Sequence, residues 1–353
     1  MLHIVGSCDQ QLFGITPAER LRRQLGDSPG SVLVASASAV LSDMAVAWLL
    51  ENRGTMLTTA SGRPMAVAVD AADAEAAARS IAGGAEAWPR SDSATVGVKF
   101  VRKLRRCDTL FVRSLDEQPV RVIEKQLFDG VYKGITDLVT KYVWPLPAYI
   151  ATTACARLHL HPNAVTLVGI VAMVAATVLW AQGELAWGFL FAWLMTFLDT
   201  VDGKLARVTA TSSRLGNKLD HLTDIIHPPF WWVALASALA ARPDAQDSTG
   251  LIWNACVIIL IGYFIGRVVE GGFKKRFGYN PFLWRPFDSA FRTIVSRRNV
   301  ILLIMSVGIV VGRPVEAFVA TAIWTFVSVV IQVTRFAQAL VSSRGGPLPS
   351  WLT

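Results

Sequence analysis

The sequence predicts an α-helical integral membrane protein: six transmembrane helices preceded by an interfacial helix, with a small cytoplasmic α/β domain at the N-terminus. Three observations lead there. Hydrophobic residues make up 53% of the 353 positions, and the mean hydropathy of +0.43 is too high for an average soluble protein. The apolar excess begins only after about Lys141. Beyond that point the hydrophobic runs approach the roughly 20 residues that a helix needs to cross a bilayer.

The elements follow in order. Residues 1–113 read as the α/β domain. Ser31 to Ala35 (SVLVA) and Met65 to Val69 (MAVAV) have the short apolar runs of strands, whereas Ala39 to Glu51 and Ala71 to Ile81 read as helices. The basic run Val101 to Arg106 (VRKLRR) reads as a solvated helix face. Residues 114–160 form a linker and the interfacial helix: Gly134 to Leu158 is apolar but interrupted by Pro145 and Pro147, with Lys141 and Trp144 near its start.

Residues 161–340 hold the six spans, approximately Asn163–Ala181, Leu185–Arg207, Gly216–Ala241, Leu251–Gly271, Asn299–Val311 and Pro314–Ala337. Pro228 and Pro229 fall inside the third and are expected to kink it. The loops after the second and fourth spans are rich in Lys and Arg, including Lys274, Lys275, Arg276, Arg297 and Arg298. The other loops are nearly devoid of them. The positive-inside rule therefore puts both termini, and the short tail 341–353, in the cytoplasm.

The net charge of +8 fits an anionic membrane surface better than nucleic acid, because the basic residues sit beside hydrophobic segments. The four cysteines, Cys8, Cys107, Cys155 and Cys256, form no CxxC pair, which argues against a disulfide framework or zinc site. The opening MLHIVGSCDQ lacks the basic and apolar regions of a signal peptide.

The chemistry is concentrated in DTVDGKLARVTATSSRLGNKLDHLTD, from Asp199 to Asp224. Asp199 and Asp202 stand three apart at the end of one hydrophobic helix. Asp220 and Asp224 stand four apart at the start of the next. Each pair shares a helix face, and a short connection lets the two faces converge. One pair of carboxylates ~4 Å apart repels by roughly 4 kcal/mol at an effective dielectric of 20, so the group demands protons or cations. Oxygen ligands suit Mg²⁺ or Mn²⁺, and two such ions can clamp a pyrophosphate. Gly203 and Gly216 permit close approach of a ligand to the backbone, Ala206 keeps its turn narrow, and Arg207 offers a planar fork for phosphate. Arg267, at the end of an apolar run, either snorkels to the surface or faces an anionic acceptor. His221 and His227 lack metal-ligand spacing.

This segment resembles the CDP-alcohol phosphotransferase signature D-x2-D-G-x2-A-R-x8-G-x3-D-x3-D at every fixed position: Asp199, Asp202, Gly203, Ala206, Arg207, Gly216, Asp220 and Asp224. His161 to Thr166 (HPNAVT) is similar to that family's Pro-Asn-x-x-Thr entry to its first span. The resemblance implies that a second alcohol attacks a CDP-alcohol at the phosphate bearing the first alcohol, and CMP leaves. It implies two Mg²⁺ or Mn²⁺ ions per site on Asp199, Asp202, Asp220 and Asp224, with Asp224 also the general base. It implies that Gly203, Ala206, Arg207, Ser213 and Gly216 contact the CDP moiety, with Asn163 and Thr166 lining the cytidine pocket.

The expected donor is CDP-diacylglycerol, used in phospholipid synthesis by a homodimer in the inner (plasma) membrane with its active site at the cytoplasmic face. The alternatives are a small CDP-polyol donor and, from another class, a non-catalytic scaffold or transporter. The N-terminal domain stands where relatives carry a cytidylyltransferase. Its GITPAERLRRQL stretch, from Gly14, lacks the glycines of a nucleotide loop, so a degenerate or purely structural module is expected.

Overall fold

The computed structural model describes residues 1–26, 31–84, 88–102, 104–212 and 214–352; in the helix beginning at Arg214, side chains 214, 215 and 217–221 lie outside that description. The chain divides into two compact units. The first comprises Met1–Tyr132, Ala151–His161 and Lys204–Ser212, and the second Lys133–Ile150, Pro162–Gly203 and Ser213–Thr353.

The first unit is an α/β layer structure. Its elements are β1 (Leu2–Val5), α1 (Pro17–Leu25), β2 (Val32–Ser36), β3 (Ala39–Leu41), α2 (Asp43–Glu51), β4 (Met56–Thr58), β5 (Pro64–Val69), α3 (Ala74–Ile81), β6 (Arg90–Asp92), β7 (Lys99–Val101), β8 (Arg106–Asp108), β9 (Val112–Ser114) and α4 (Val120–Gly130). The main sheet has the order β1-β2-β5-β4-β6. The β1/β2 and β4/β6 pairs are parallel and the other two antiparallel.

Side chains alternate across the pleat. Val32, Val34, Val67 and Val69 pack with Ala77 of α3, while Leu33, Ala35, Ala66 and Ala68 pack with Leu21 of α1 and Ala45 and Leu49 of α2. Both faces of β2 and β5 are thus covered, which explains their unbroken apolar sequence.

Two expectations fail here. The run Ala39 to Glu51 is not one helix: Ala39–Leu41 pairs antiparallel with Val112–Ser114. The helix starts only after Ser42, whose Oγ accepts from the Ala45 amide at 3.2 Å, an N-cap within an otherwise apolar stretch. Nor does Val101 to Arg106 form a helix face, because Val101 and Arg106 face each other in the β7–β8 hairpin.

The first unit also holds the end of a long helix. Arg20 of α1, 4% exposed, donates to the carbonyl of Val208. Arg23 donates to that of Thr209 at 3.1 Å and is itself braced by Glu19 at 3.0 Å. Both carbonyls lie at the C-terminal end of α7, where cationic side chains suit the negative end of the dipole.

The second unit is helical. A π-helical turn (Val139–Val143) leads into α5 (Pro145–Arg157), which runs on into the first unit. Then come α6 (Pro162–Ala181), α7 (Leu185–Val208), α8 (Arg214–Ala240), α9 (Thr249–Phe277), α10 (Pro286–Phe291), α11 (Arg298–Val310) and α12 (Pro314–Ser342). Among the described residues four helical segments are long and apolar enough to cross a membrane: Pro162–Ala181, Leu185–Val208, Pro243–Phe277 and Pro314–Gly345. The protein is therefore a multi-pass membrane protein. Helix α8 is continuous through Pro228 and Pro229. Helix α11 has 13 residues, about 20 Å at the helical rise, against a hydrocarbon core of about 30 Å.

Helix packing relies on small residues where backbones approach. A Cβ on Gly262 of α9 would stand 2.5 Å from Cγ2 of Thr325 on α12, and one on Gly308 of α11 would stand 2.1 Å from Cβ of Ala317 on α12. Away from these seams Trp180, Trp231, Trp232 and Phe189 fill the core. Trp180 and Trp231 meet edge-on at 5.4 Å. The indole N–H of Trp231 donates to the Met173 carbonyl at 3.1 Å, so the polar handle of a buried ring is satisfied.

Candidate active site

The site lies in the second unit, where α6, α7 and α8 converge. Met195, Asp199 and Asp202 recur on one face of α7 at helical spacing. They line a small, partly open pocket with Thr166, Gly169 and Ile170 of α6 and Thr223 and Asp224 of α8. The cavity-lining face continues into the buried core, through Ala172 and Ala176 on α6 and Met195 on α7.

Asp202 is only 7% exposed. Its Oδ2 accepts from the Thr166 hydroxyl at 2.5 Å. That hydroxyl also lies 3.2 Å from the Pro162 carbonyl. It has a single proton to donate, and the shorter contact assigns it to the carboxylate. Thr166 thus sits on the acidic group itself.

Asp199 and Asp224 share one cation. Arg298, the first residue of α11, places Nη2 at 2.6 Å from Asp199 Oδ2 and Nη1 at 2.8 Å from Asp224 Oδ1. The same Nη1 is 3.4 Å from Sδ of Met195. The guanidinium side chain is 15% exposed. A planar fork joining acids from two helices at low exposure is a charge-assisted pairing.

The arginine is aimed by its neighbour. Asn299 donates to Oδ1 of Asp137 at 3.0 Å. The same carboxylate accepts the Thr140 amide at 3.0 Å and the Thr140 hydroxyl at 2.9 Å. Burial pushes the Asp137 carboxyl upward, but the charge of Arg292 and these hydrogen bonds outweigh it and hold the group below its ordinary value of 3.8. Next to Arg298, Arg297 pairs with Glu270 of α9. Asp288 of α10 takes both Nε and Nη2 of Arg335, at 2.7 and 2.8 Å.

The other expected residues fall as follows. Asn163 is half-buried in the first turn of α6. Gly203 follows Asp202 on α7 and is half-buried. Ala206 and Arg207 lie on the last turns of α7, in the first unit. Gly216 is half-buried in the first turn of α8. Ser213 lies outside the described residues, as do the side chains of Asp220 and His221. Arg267 stacks over the ring of Tyr263, 5.2 Å from its centroid. The Tyr263 hydroxyl donates to the Ile225 carbonyl at 2.7 Å, beside Asp224. His227 is buried against Trp231, with ring centroids 4.7 Å apart and Nδ1 at 2.6 Å from the Thr223 carbonyl.

Arg298 and Asp137 were not among the expected site residues. Arg298 had counted only as loop charge. The signal was a pair of arginines running directly into an apolar helix, where ionisable groups carry function by default.

Chemically, three carboxylates around one cavity make a hard, anionic oxygen set that fits Mg²⁺ or Mn²⁺. Among the described residues no three acidic, histidine or cysteine side chains are gathered closely enough to hold a metal ion. Arg298 lies between two of the candidates.

The model of the CDP-alcohol phosphatidyltransferase family matches residues 159–271. A phosphatidylinositol phosphate synthase of Mycobacteroides abscessus is 25% identical over 179 residues, 42% of this chain and 80% of the relative. The proteins of that name from Mycobacterium marinum and Streptomyces avermitilis are 38% identical over 85 residues and 35% over 86. Those two alignments span 36% and 33% of the relatives' own length, and 22% and 24% of this chain. The crystal structure of Mycobacterium tuberculosis phosphatidylinositol phosphate synthase with CDP-DAG bound superposes with a TM-score of 0.37 at 20% identity, over 55% of this chain and 92% of that one. The same enzyme in complex with manganese and citrate gives 0.40 at 20% identity, over 57% and 90%.

Proposed function

We propose, from the match of residues 159–271 to the CDP-alcohol phosphatidyltransferase family, that the chain transfers the substituted phosphate of CDP-diacylglycerol to an acceptor alcohol and releases CMP. The acceptor oxygen forms a bond to the phosphorus bearing diacylglycerol. The bond from that phosphorus to the bridging oxygen of the pyrophosphate breaks, and CMP departs with the electron pair. The observation that carries this reading is the single cavity lined by Asp199, Asp202 and Asp224 inside the spaced motif.

Asp199, Asp202, Asp220 and Asp224 would hold two divalent cations, which when bound supply charge stabilisation for the pyrophosphate and its leaving group. The remaining steps belong to the chain. Thr166 fixes the orientation of the Asp202 carboxylate, as hydrogen-bond partners of metal ligands do. Asp224, with 41% of its side chain exposed, can meet an incoming hydroxyl and take its proton. Arg207, Gly203, Ala206, Ser213 and Gly216 contact the CDP moiety, Asn163 borders the cytidine, and Arg267 lies on the acceptor side. In this proposal α8 and α11 complete six crossings, the interfacial helix precedes them, and the site opens at the cytoplasmic face of the inner membrane. A diacylglycerol donor then keeps its tails in lipid while its headgroup reaches water.

The purified full chain should be given CDP-diacylglycerol or a small CDP-polyol, each with a panel of acceptor alcohols. CMP release with CDP-diacylglycerol but not with the small donor supports the proposal. The reverse preference would reject the donor assignment while leaving the reaction class intact.

A further inference from the structure

The pairing of Arg298 with two of the carboxylates points to a role beyond the reaction itself, and we propose that Arg298 is a built-in counter-ion that competes with divalent metal for Asp199 and Asp224. This rests on the carboxylate site proposed above.

Arg298 takes one oxygen from each of two acids on different helices, Asp199 on α7 and Asp224 on α8, at 2.6 and 2.8 Å. It is therefore not a bidentate partner of one acid but a wedge between two. A carboxylate oxygen spent on a guanidinium is poorly placed to ligate a cation on the same side. The positive charge also repels any cation approaching the cavity. Moving Arg298 aside frees one oxygen on each acid and removes the spacer, so both effects favour the metal.

The scaffold is suited to a side chain with two positions. The start of α11 has further holds besides Asp199 and Asp224: Asn299 donates to Asp137 at 3.0 Å, and Arg297 is paired with Glu270. The backbone of Arg298 is anchored on both sides, so its long side chain can leave the acids while the helix stays in place. Arg298 neutralises the cluster when metal is scarce, which keeps α7 and α8 from repelling each other. It yields as metal enters. Metal affinity is then set partly by this internal cation, and a guanidinium is released in the cavity only when metal is bound.

The test is Mn²⁺ binding to the full-length protein in detergent, followed by electron paramagnetic resonance of free Mn²⁺, for the wild type, Arg298→Gln and Arg298→Lys. Thermal midpoints are read in chelator and at saturating Mn²⁺. Arg298→Gln should bind Mn²⁺ about tenfold more tightly or better. Its loss of thermal stability in chelator should largely vanish at saturating Mn²⁺. Arg298→Lys keeps the charge but lacks the two-armed fork, so it should fold and gain severalfold in affinity. Should Arg298→Gln fail to fold, the lysine variant alone decides. Unchanged or weaker Mn²⁺ binding in the folded variants would overturn the competition, and would make Arg298 a support for the ligands instead. Absence of Mn²⁺ binding in all three proteins, the wild type included, would overturn the carboxylate metal site and this inference with it.

Discussion

Asp224 and Thr166 illustrate how differently two polar side chains on one cavity can act. Asp224 meets solvent and is the proposed base. Asp224→Asn should lower single-turnover CMP release by ~10²-fold or more while donor binding at saturating Mg²⁺ survives. Loss of donor binding along with turnover would make metal coordination its main task. Thr166→Val keeps the volume but removes the donor to Asp202 Oδ2. Losing such a partner of a metal ligand typically costs about 10–100-fold in metal affinity or activity, measurable as a shift in the Mn²⁺ concentration for half-maximal rate.

Asp137 offers a test in pH. Its folded carboxyl lies below the ordinary value because Arg292, Thr140 and Asn299 outweigh its burial. Its stabilisation is therefore complete above the unfolded carboxyl's titration range, about pH 4, and fades as pH falls through the lower folded value. Asp137→Asn should lower the thermal midpoint at neutral pH, and the deficit should shrink on acidification. A deficit independent of pH would assign Asp137 a purely steric role.

At the scale of elements, the spans were the most legible part. Helices α6, α7, α9 and α12 fall close to the hydrophobic runs, because a lipid-facing helix must be apolar over its whole exposed length. The short elements were less legible. Ala39–Leu41 is apolar enough for helix or strand, and only its partner β9, over seventy residues later, decides the matter. Nothing in the local sequence around Arg20 and Arg23 announces that they cap the end of α7. The caps can be probed directly. Arg23→Ala should speed amide hydrogen exchange in the last turn of α7 and cost a few tenths to about 1 kcal/mol; unchanged exchange there would remove the cap from the account. The α9–α12 seam should respond more strongly. Gly262→Val puts a branched side chain where even a Cβ meets Thr325 at 2.5 Å, a form of overpacking that typically costs 1–3 kcal/mol, seen as a lower thermal midpoint in detergent.

For the whole molecule, the acidic motif stands out in the sequence as four carboxylates at two helical spacings at the ends of apolar segments; Asp199, Asp202 and Asp224 line one pocket, and the Asp220 side chain lies outside the described residues. Arg298 was legible only as an ionisable group entering an apolar helix; its partner Asp199 lies ninety-nine residues away, and only folding brings the two together. The N-terminal unit lacks a glycine-rich loop, and its α1 is committed to the end of α7. The full chain should accordingly form no CDP-alcohol from CTP and a phosphorylated alcohol, as judged by pyrophosphate release. The central claim is the metal-dependent transfer itself, and CMP release from CDP-diacylglycerol by the purified full chain tests it most directly, with chelator and then with Mg²⁺ or Mn²⁺ restored. The account predicts no release in chelator, recovery on adding either metal, and no recovery with Asp224→Asn. Undiminished CMP release in chelator, once metal removal is verified, would contradict it.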